Sequence, residues 1–262
     1  MKTKNPGIIL SGLIFILIAG VSDSLAQCDL PGTNPCLTET RKPVTKKNPK
    51  KTSPTKTNNK PVISKPKTTK VPKEKPVKSK ASIIFEERFN DNKLGWYTAS
   101  GSNSIASITD NSYLFELKTA GWIFGTRPIA IDESEDFVIE AAVKKKSGED
   151  NNGYGLIWGL NDTDNFYTFL LFGDSSFGVY NKKSGKYIDV ISKSVTNSIN
   201  KMNLINKLKI EKKADKLRFY INSAFVGSAD FEEFYGNWLG FVVYEQKTVA
   251  FDDLVITQVN KQ

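Results

Sequence analysis

Short apolar or alternating segments recur along the chain from residue 83 onward, and turn-forming residues separate them. In Leu208–Glu211 and Leu217–Ile221 one face is apolar and the other mostly polar, as in strands with one side in water. Outside a possible short turn near Asn197–Asn203, apolar residues do not recur at helical spacing. The pattern predicts these strands: Ile83–Phe89, Tyr113–Leu117, Trp122–Phe124, Phe137–Lys145, Tyr154–Gly159, Asn165–Phe172, Phe177–Asn181, Lys186–Val190, Lys207–Lys213, Lys216–Ile221, Ala224–Asp230, Leu239–Tyr244 and Thr248–Gln258.

About a dozen short strands in this length predict an all-β domain, a two-sheet antiparallel sandwich of the jelly-roll type, over residues 81–262. The segment Asn165–Phe172 differs from the other strands because it is apolar on both sides. One side must face the inter-sheet core, and the other is either covered or forms an aromatic surface. Alternation alone leaves open which side is which.

Composition changes abruptly before this domain. Residues 41–80 contain fifteen Lys and Arg and one acidic residue, with many Pro and Thr and no aromatic residue. We predict a disordered linker there, because such a segment cannot bury enough apolar surface to order itself. The linker could also contact polyanions, but the lack of aromatic residues argues against nucleic acid. The excess positive charge of the whole chain, +9, resides in this linker.

The N-terminal 26 residues resemble a signal peptide. Lys2 and Lys4 precede an apolar run, and Ser24-Leu25-Ala26 forms a small-x-small cleavage pattern. The run is shorter than the ~20 residues of a membrane-spanning helix, so we expect no transmembrane span in the mature protein. These features predict a secreted or periplasmic protein. Lipoprotein anchoring through Cys28 is the alternative, although Gln27 occupies the place of a small residue.

Both cysteines, Cys28 and Cys36, fall in the short segment 27–40 between signal peptide and linker. In an oxidising compartment this spacing predicts a small disulfide loop, since turn-forming residues lie between the two positions.

Several strand and turn sequences form a recognisable set. They are Gly153–Trp158, Asp164–Phe169, Asn206–Glu211, Leu217–Asn222, Phe251–Leu254 and the opening Phe89-Asn90-Asp91 with Gly95-Trp96. Together they resemble the concanavalin A-like lectin/glucanase superfamily, and especially bacterial extracellular domains near the laminin-G-like and 3-keto-disaccharide hydrolase groups. The resemblance spans nearly all of residues 83–257. It implies the sandwich fold and is compatible with either carbohydrate binding or glycoside cleavage.

The chain has no histidine, which excludes Ser-His-Asp and Cys-His hydrolysis and imidazole acid–base catalysis. Glucanases of the superfamily carry alternating acids on one strand face, and this sequence has none. Glu140 is a lone acid in its strand, and the adjacent residues Asp252 and Asp253 should point to opposite faces. These features favour a protein that is not an enzyme.

Calcium is a further possibility, because some lectins of this fold use it. Asp162 and Asp164 offer clustered oxygen ligands in a turn, but no Glu follows at EF-hand spacing. Asp- and Asn-rich turns also occur for conformational reasons alone.

Aromatic side chains are the usual surface on which sugar rings stack. Tyr154 and Trp158 are four residues apart, so an extended strand puts both on one face. Core packing explains any one aromatic residue equally well. As a group, the candidate ligand-binding residues are Tyr154, Trp158, Tyr167, Phe169, Tyr180 and Tyr244.

The sequence therefore favours a secreted or periplasmic, non-catalytic module that recognises glycan or another cell-surface ligand. A glycoside hydrolase or 3-keto-glycoside-cleaving enzyme of the same fold is one alternative, and a structural envelope-associated protein is another. The oligomeric state and the identity of the ligand stay open.

Overall fold

The computed structural model describes residues 79–261. The predicted signal peptide, the Cys28–Cys36 loop and nearly all of the predicted linker lie outside the described residues. In the part of the chain that the structure describes, the regular elements are all β-strands, and no helix there could cross a membrane.

Fifteen strands are found in the described residues. They are β1 (Ser79–Glu87), β2 (Ala99–Ser100), β3 (Ser104–Thr109), β4 (Ser112–Leu117), β5 (Trp122–Pro128), β6 (Asp136–Gly148), β7 (Tyr154–Asp162), β8 (Asn165–Leu171), β9 (Ser176–Lys183), β10 (Lys186–Val195), β11 (Asn206–Lys213), β12 (Lys216–Ile221), β13 (Ala224–Asp230), β14 (Trp238–Tyr244) and β15 (Lys247–Lys261). The predicted all-β class and the antiparallel two-sheet sandwich are confirmed.

The strands form two antiparallel sheets. The nine-stranded sheet has the order β13-β12-β11-β6-β15-β4-β3-β2, and β1 pairs with the C-terminal part of β15. The six-stranded sheet has the order β10-β9-β8-β7-β14-β5. The long strand β15 pairs with β6 along nearly its whole length, so it organises the centre of the larger sheet.

A single apolar core fills the space between the sheets. The nine-stranded sheet contributes large residues such as Phe115, Phe219 and Phe251, and the six-stranded sheet contributes Trp158 and Phe241. Phe241 and Phe251 stack across the interface with ring centroids 4.4 Å apart. Each large aromatic residue buried here contributes on the order of 2–3 kcal/mol through loss of apolar surface from water.

A second apolar cluster consists of residues from the six-stranded sheet and of Phe172, which directly follows β8. Its buried members include Phe166, Leu170, Tyr180 and Tyr244, and partly exposed Trp122 packs against them. Because the inter-sheet core takes the opposite side chains of the same strands, this cluster lies on the outer face of the six-stranded sheet. The two-sided apolar pattern of Asn165–Phe172 thus reflects one face in the core and one in this cluster.

Register shifts occur at several places in the described strands, and two of them are β-bulges that reverse the alternation of core and outer side chains. Gly159 has a φ of +61°, and the register between β7 and β8 shifts after Trp158. As a result Trp158 faces the core while Leu160 faces the outer cluster. In β15 the register shifts after Asp252, and Asp253 has a φ of +52°.

The prediction that Asp252 and Asp253 point to opposite faces is wrong. Phe251 and Leu254 are both buried in the core, so the two residues between them lie on the outer side. Both aspartates line the same cavity. The bulge is the physical reason, because the extra residue in β15 turns the second aspartate back to the face of the first.

Candidate ligand-binding face and a carboxylate groove

The outer face of the six-stranded sheet is concave. Strands β10 and β14 are four inter-strand steps apart, a distance of about 19 Å in a flat sheet. Yet the hydroxyl groups of Tyr187 on β10 and Tyr244 on β14 are 3.2 Å apart. Two tyrosine side chains can meet over three intervening strands only if the sheet curves toward them.

Aromatic rings from both flanks of this concave face pack against one another. Trp122 on β5 stacks on Tyr244, with centroids 5.8 Å apart and ring planes within 6°. The same indole lies 5.7 Å from the ring of Phe166 on β8 and 4.8 Å from that of Phe124. Phe166 in turn meets Tyr187 edge-on. We call these five residues the aromatic platform: Trp122, Phe124, Phe166, Tyr187 and Tyr244.

The platform is partly accessible to solvent. Phe166 and Tyr244 are buried, whereas Trp122 and Tyr187 are half-buried. Trp238 on β14 is also half-buried and packs against the same cluster. A ligand reaching this face would therefore contact two tryptophans and one tyrosine, which are the side chains that present flat apolar surface with a polar edge.

Two buried hydroxyl groups lie on the same concave face. Thr168 and Tyr180 are neighbours across β8 and β9, and both side chains are almost fully buried. Neither hydroxyl has a hydrogen-bond partner in the described residues. Burial raises the pKa of Tyr180 well above its usual value, so this hydroxyl stays protonated and can act as a donor.

One cation stands at the platform. The Nζ of Lys182 on β9 lies 5.9 Å from the ring centroid of Trp122, 5.6 Å from that of Phe166 and 5.3 Å from that of Tyr187. These distances are in the range of cation–π attraction. The ammonium is also 3.7 Å from Oδ1 of Asp164, whose side chain is 64% exposed.

The structure separates the six predicted ligand-binding residues into two groups. Tyr154, Trp158, Tyr167 and Phe169 belong to the inter-sheet core, where Trp158 and Tyr167 stack with centroids 5.6 Å apart. Tyr180 and Tyr244 lie on the concave face. The four-residue spacing did place Tyr154 and Trp158 on one face, but that face points inward.

Sequence reasoning did not select Trp122, Tyr187, Trp238 or Lys182 as site residues. Trp122 and Trp238 begin their strands, and Tyr187 lies one residue inside β10. Their convergence depends on the curvature of the sheet, which local alternation does not reveal. One signal was available in the sequence. An even number of positions separates Trp122 from Phe124 in β5 and Trp238 from Tyr244 in β14, so simple alternation puts each pair on one side of its strand.

The predicted calcium turn is held by its own hydrogen bonds. The Asp162 carboxylate accepts from the backbone amide of Asp164 at 2.8 Å and from the side-chain amides of Asn165 and Asn161 at 2.9 and 2.8 Å. Slight burial tends to raise the pKa of Asp162, but these hydrogen bonds outweigh it and lower the pKa. No cluster of three or more Cys, Asp or Glu suited to a metal occurs within residues 79–261.

A separate groove crosses the outer face of the nine-stranded sheet. Two adjoining cavities of about 170 and 200 Å³ share Ala142 and Asp253 in their walls. Asp252 lines the first and Glu140 the second, so the bulge brings three carboxylates to one face. Asp253 forms an ion pair with Arg88.

The two aspartates of the groove have different environments. Partial burial raises the pKa of Asp252, and the charges of Asp253 and Glu87 act in the same direction. The backbone amide of Asp253 and the charge of Arg88 only partly oppose this. A carboxyl group with a raised pKa next to another carboxyl group is a pattern seen in acid–base sites.

No family model matches the sequence, and no curated protein matches it. Similar solved structures do exist. A protein of unknown function with a galectin-like fold from Bacillus subtilis aligns at 11% identity with a TM-score of 0.52, over 71% of this chain and 100% of its own. The CBM2 module of the evolved Dit protein from Lactobacillus casei BL23 phage J-1 aligns at 13% identity with a TM-score of 0.51, over 71% and 99%. The carbohydrate-binding module CBM66 from Bacillus subtilis aligns at 18% identity with a TM-score of 0.47, over 61% and 93%.

The similarities to the galectin-like protein and to the phage module, together with the two-sheet topology, show the fold: a galectin-like β-sandwich. The fold that the resemblance in the sequence implied is confirmed. Membership of the concanavalin A-like superfamily, and of its laminin-G-like or 3-keto-disaccharide hydrolase groups, stays a prediction.

Proposed function

We propose that this protein is a secreted or periplasmic, non-catalytic carbohydrate-binding module whose ligand stacks on the concave aromatic platform. The observation that carries the proposal is the partly exposed Trp122, stacked on Tyr244 and Phe166 beside the half-buried Tyr187. Sugar rings present C–H faces that pack on aromatic rings. The rigid ring stack offers such a surface with little ordering cost on binding.

Polar groups on the same face could fix the orientation of a sugar. The paired hydroxyls of Tyr187 and Tyr244 can exchange their mutual hydrogen bond for bonds to a ligand. The module of the phage J-1 evolved Dit protein shares the fold and is described as a CBM2 module, which is consistent with the proposal. At this level of identity the similarity supports the fold rather than the ligand.

The test is a glycan array probed with the full-length chain and two variants. Trp122→Leu keeps apolar packing but removes the flat ring, and we expect a loss of affinity of about tenfold or more. Phe225→Ala is the matched control, because Phe225 is an exposed aromatic residue on the edge strand β13 of the other sheet. Equal binding by the wild type and Trp122→Leu would contradict the proposal.

The same array, repeated with EDTA, tests whether glycan binding depends on calcium. A calcium site at the β7–β8 turn would be supported if EDTA abolished binding and added calcium restored it. In that case Asp162→Asn should prevent the restoration by calcium. Because the hydrogen bonds of Asp162 already hold this turn, we expect binding to persist in EDTA.

Glycoside hydrolysis is a second candidate function, and the bulge in β15 favours it. Asp252, Asp253 and Glu140 line adjoining cavities on one face, and the pKa of Asp252 is raised by burial. Hydrolysis by two carboxyl groups needs one protonated and one ionised group on opposite sides of the scissile bond. Turnover of any array ligand that Asp252→Asn or Glu140→Gln abolishes would favour this function over the non-catalytic one.

A further inference from the structure

The ammonium group of Lys182 occupies an unusual place on the aromatic platform. Most lysines reach solvent at the end of a flexible stem, but the side chain of Lys182 is only 17% exposed. Its Nζ lies within 6 Å of three ring centroids, those of Trp122, Phe166 and Tyr187. A ligand stacked on Trp122 would therefore lie beside a fixed positive charge.

The ion pair that Lys182 forms in the structure is weak. Oδ1 of Asp164 is 3.7 Å away, beyond a good hydrogen bond, and this carboxylate is largely in water. A ligand carboxylate arriving on the platform could come closer to the ammonium than Asp164 does. The desolvated surroundings of the ammonium would strengthen that contact.

Further charges surround this end of the concave face. The exposed residues Lys183 and Lys186 lie opposite each other in the register of the β9–β10 hairpin, and both add positive potential. Asp162 and Asp164 in the β7–β8 turn and Asp189 on β10 oppose it. At the other end of the face, Lys193 is paired with Asp174 at 3.0 Å. Lys182 is thus the cation that stands directly on the platform.

We propose that the ligand of the concave face is an acidic saccharide, and that Lys182 binds the carboxylate of a uronic acid residue whose ring stacks on Trp122. This inference rests on the proposed carbohydrate-binding function and narrows its ligand to a chemical class. Asp164 is then a competing anion, because its charge partly neutralises that of Lys182 and so weakens the binding of acidic ligands.

The test uses an array of uronic acid oligosaccharides (galacturonate, glucuronate, mannuronate and guluronate) beside their methyl esters, which keep the ring and lose the charge. We expect the full-length chain to bind at least one acidic oligosaccharide about tenfold more tightly than its ester. Lys182→Met keeps the apolar stem and should remove this preference, so that the acid and its ester bind with affinities within about twofold of each other. Asp164→Asn should strengthen binding of the acidic form about threefold, a gain that a damaged fold would not produce.

The lysine-rich segment 41–80 can itself attract acidic polymers, so each variant is compared in the full-length chain. Lys183→Met is the matched control, because it removes an exposed lysine of the same hairpin, and it should change affinity by about twofold at most. Equal loss in Lys182→Met and Lys183→Met would overturn the inference. Binding of esters as tight as that of acids would overturn it too and leave the proposed function intact. Binding to neutral glycans alone would likewise overturn the inference only, whereas failure to bind any glycan on this array and on the broader glycan array would overturn both.

Discussion

Lys247 is a buried lysine on β15 whose environment disfavours its charge. The side chain is 2% exposed, and the amino group donates a hydrogen bond to the backbone carbonyl of Tyr244. Burial lowers the pKa of Lys247 to about 8, and the charge of Lys145 acts in the same direction. The nearby acids only partly offset this, so the folded protein holds this proton less tightly than the unfolded chain does.

We expect the free energy of unfolding to rise between about pH 8 and pH 10.5 through Lys247. In this window the unfolded chain binds more protons than the folded chain, so stability increases with pH, by about 3 kcal/mol at most. Lys247→Met should remove that part of the dependence, measured by urea unfolding at several pH values. Lys146→Met, an exposed lysine of β6, controls for the loss of a positive charge. A wild-type minus Lys247→Met difference that is constant with pH would contradict the prediction.

The strands themselves were predictable wherever side chains were large and turns were marked. The alternation and turn residues identified thirteen of the fifteen strands found in the described residues. The two that it missed, β2 and β3, contain mainly Ser, Ala and Thr, so they carry little apolar signal. The sequence could not predict which side of β8 faces away from the core, because both sides are apolar. Only packing against the second sheet decides which side becomes the core.

Bulges were the elements that sequence reasoning missed, and the bulge in β15 determines the carboxylate groove. A bulge adds one residue and reverses all later side-chain directions, yet it leaves no reliable mark in the pattern of apolar residues. At Gly159 the glycine is a weak signal, since a positive φ suits it. At Asp253 there is no glycine, and the sequence suggested a regular strand.

The bulge in β15 leads to a prediction at the level of the element. Asp253 has a φ of +52°, a conformation in which a β-branched side chain is strained. Asp253→Gly and Asp253→Val both remove the ion pair with Arg88, but only valine adds backbone strain. We expect Asp253→Val to be less stable than Asp253→Gly by about 1–3 kcal/mol in urea unfolding. Equal stability of the two variants would mean that the bulge relaxes at little cost.

The whole molecule carries two chemically different surfaces on opposite sides of one core. The concave face of the six-stranded sheet presents aromatic rings with Lys182 and Lys193 beside them. The groove on the nine-stranded sheet is lined by both acidic and basic side chains: Asp110, Glu140, Asp252, Asp253, Arg88, Lys144, Lys146 and Lys207. Both sheets and the packed core separate them. Substitutions at sites this far apart, with no shared partners, usually act independently.

This separation distinguishes a binding module from an enzyme in a single set of variants. If the module only binds, Trp122→Leu should weaken glycan binding while Asp252→Asn and Glu140→Gln leave it unchanged, and none of these proteins should release reducing ends from a bound glycan.

If the groove is catalytic, the wild type should release sugar products, Asp252→Asn should abolish release, and the release should peak at a pH where Asp252 is still protonated. The raised pKa of Asp252 moves that optimum upward from the range of an ordinary aspartate. A variant set in which Trp122→Leu and Asp252→Asn impair binding equally would contradict both assignments, because it would place the ligand on a surface that neither face forms alone.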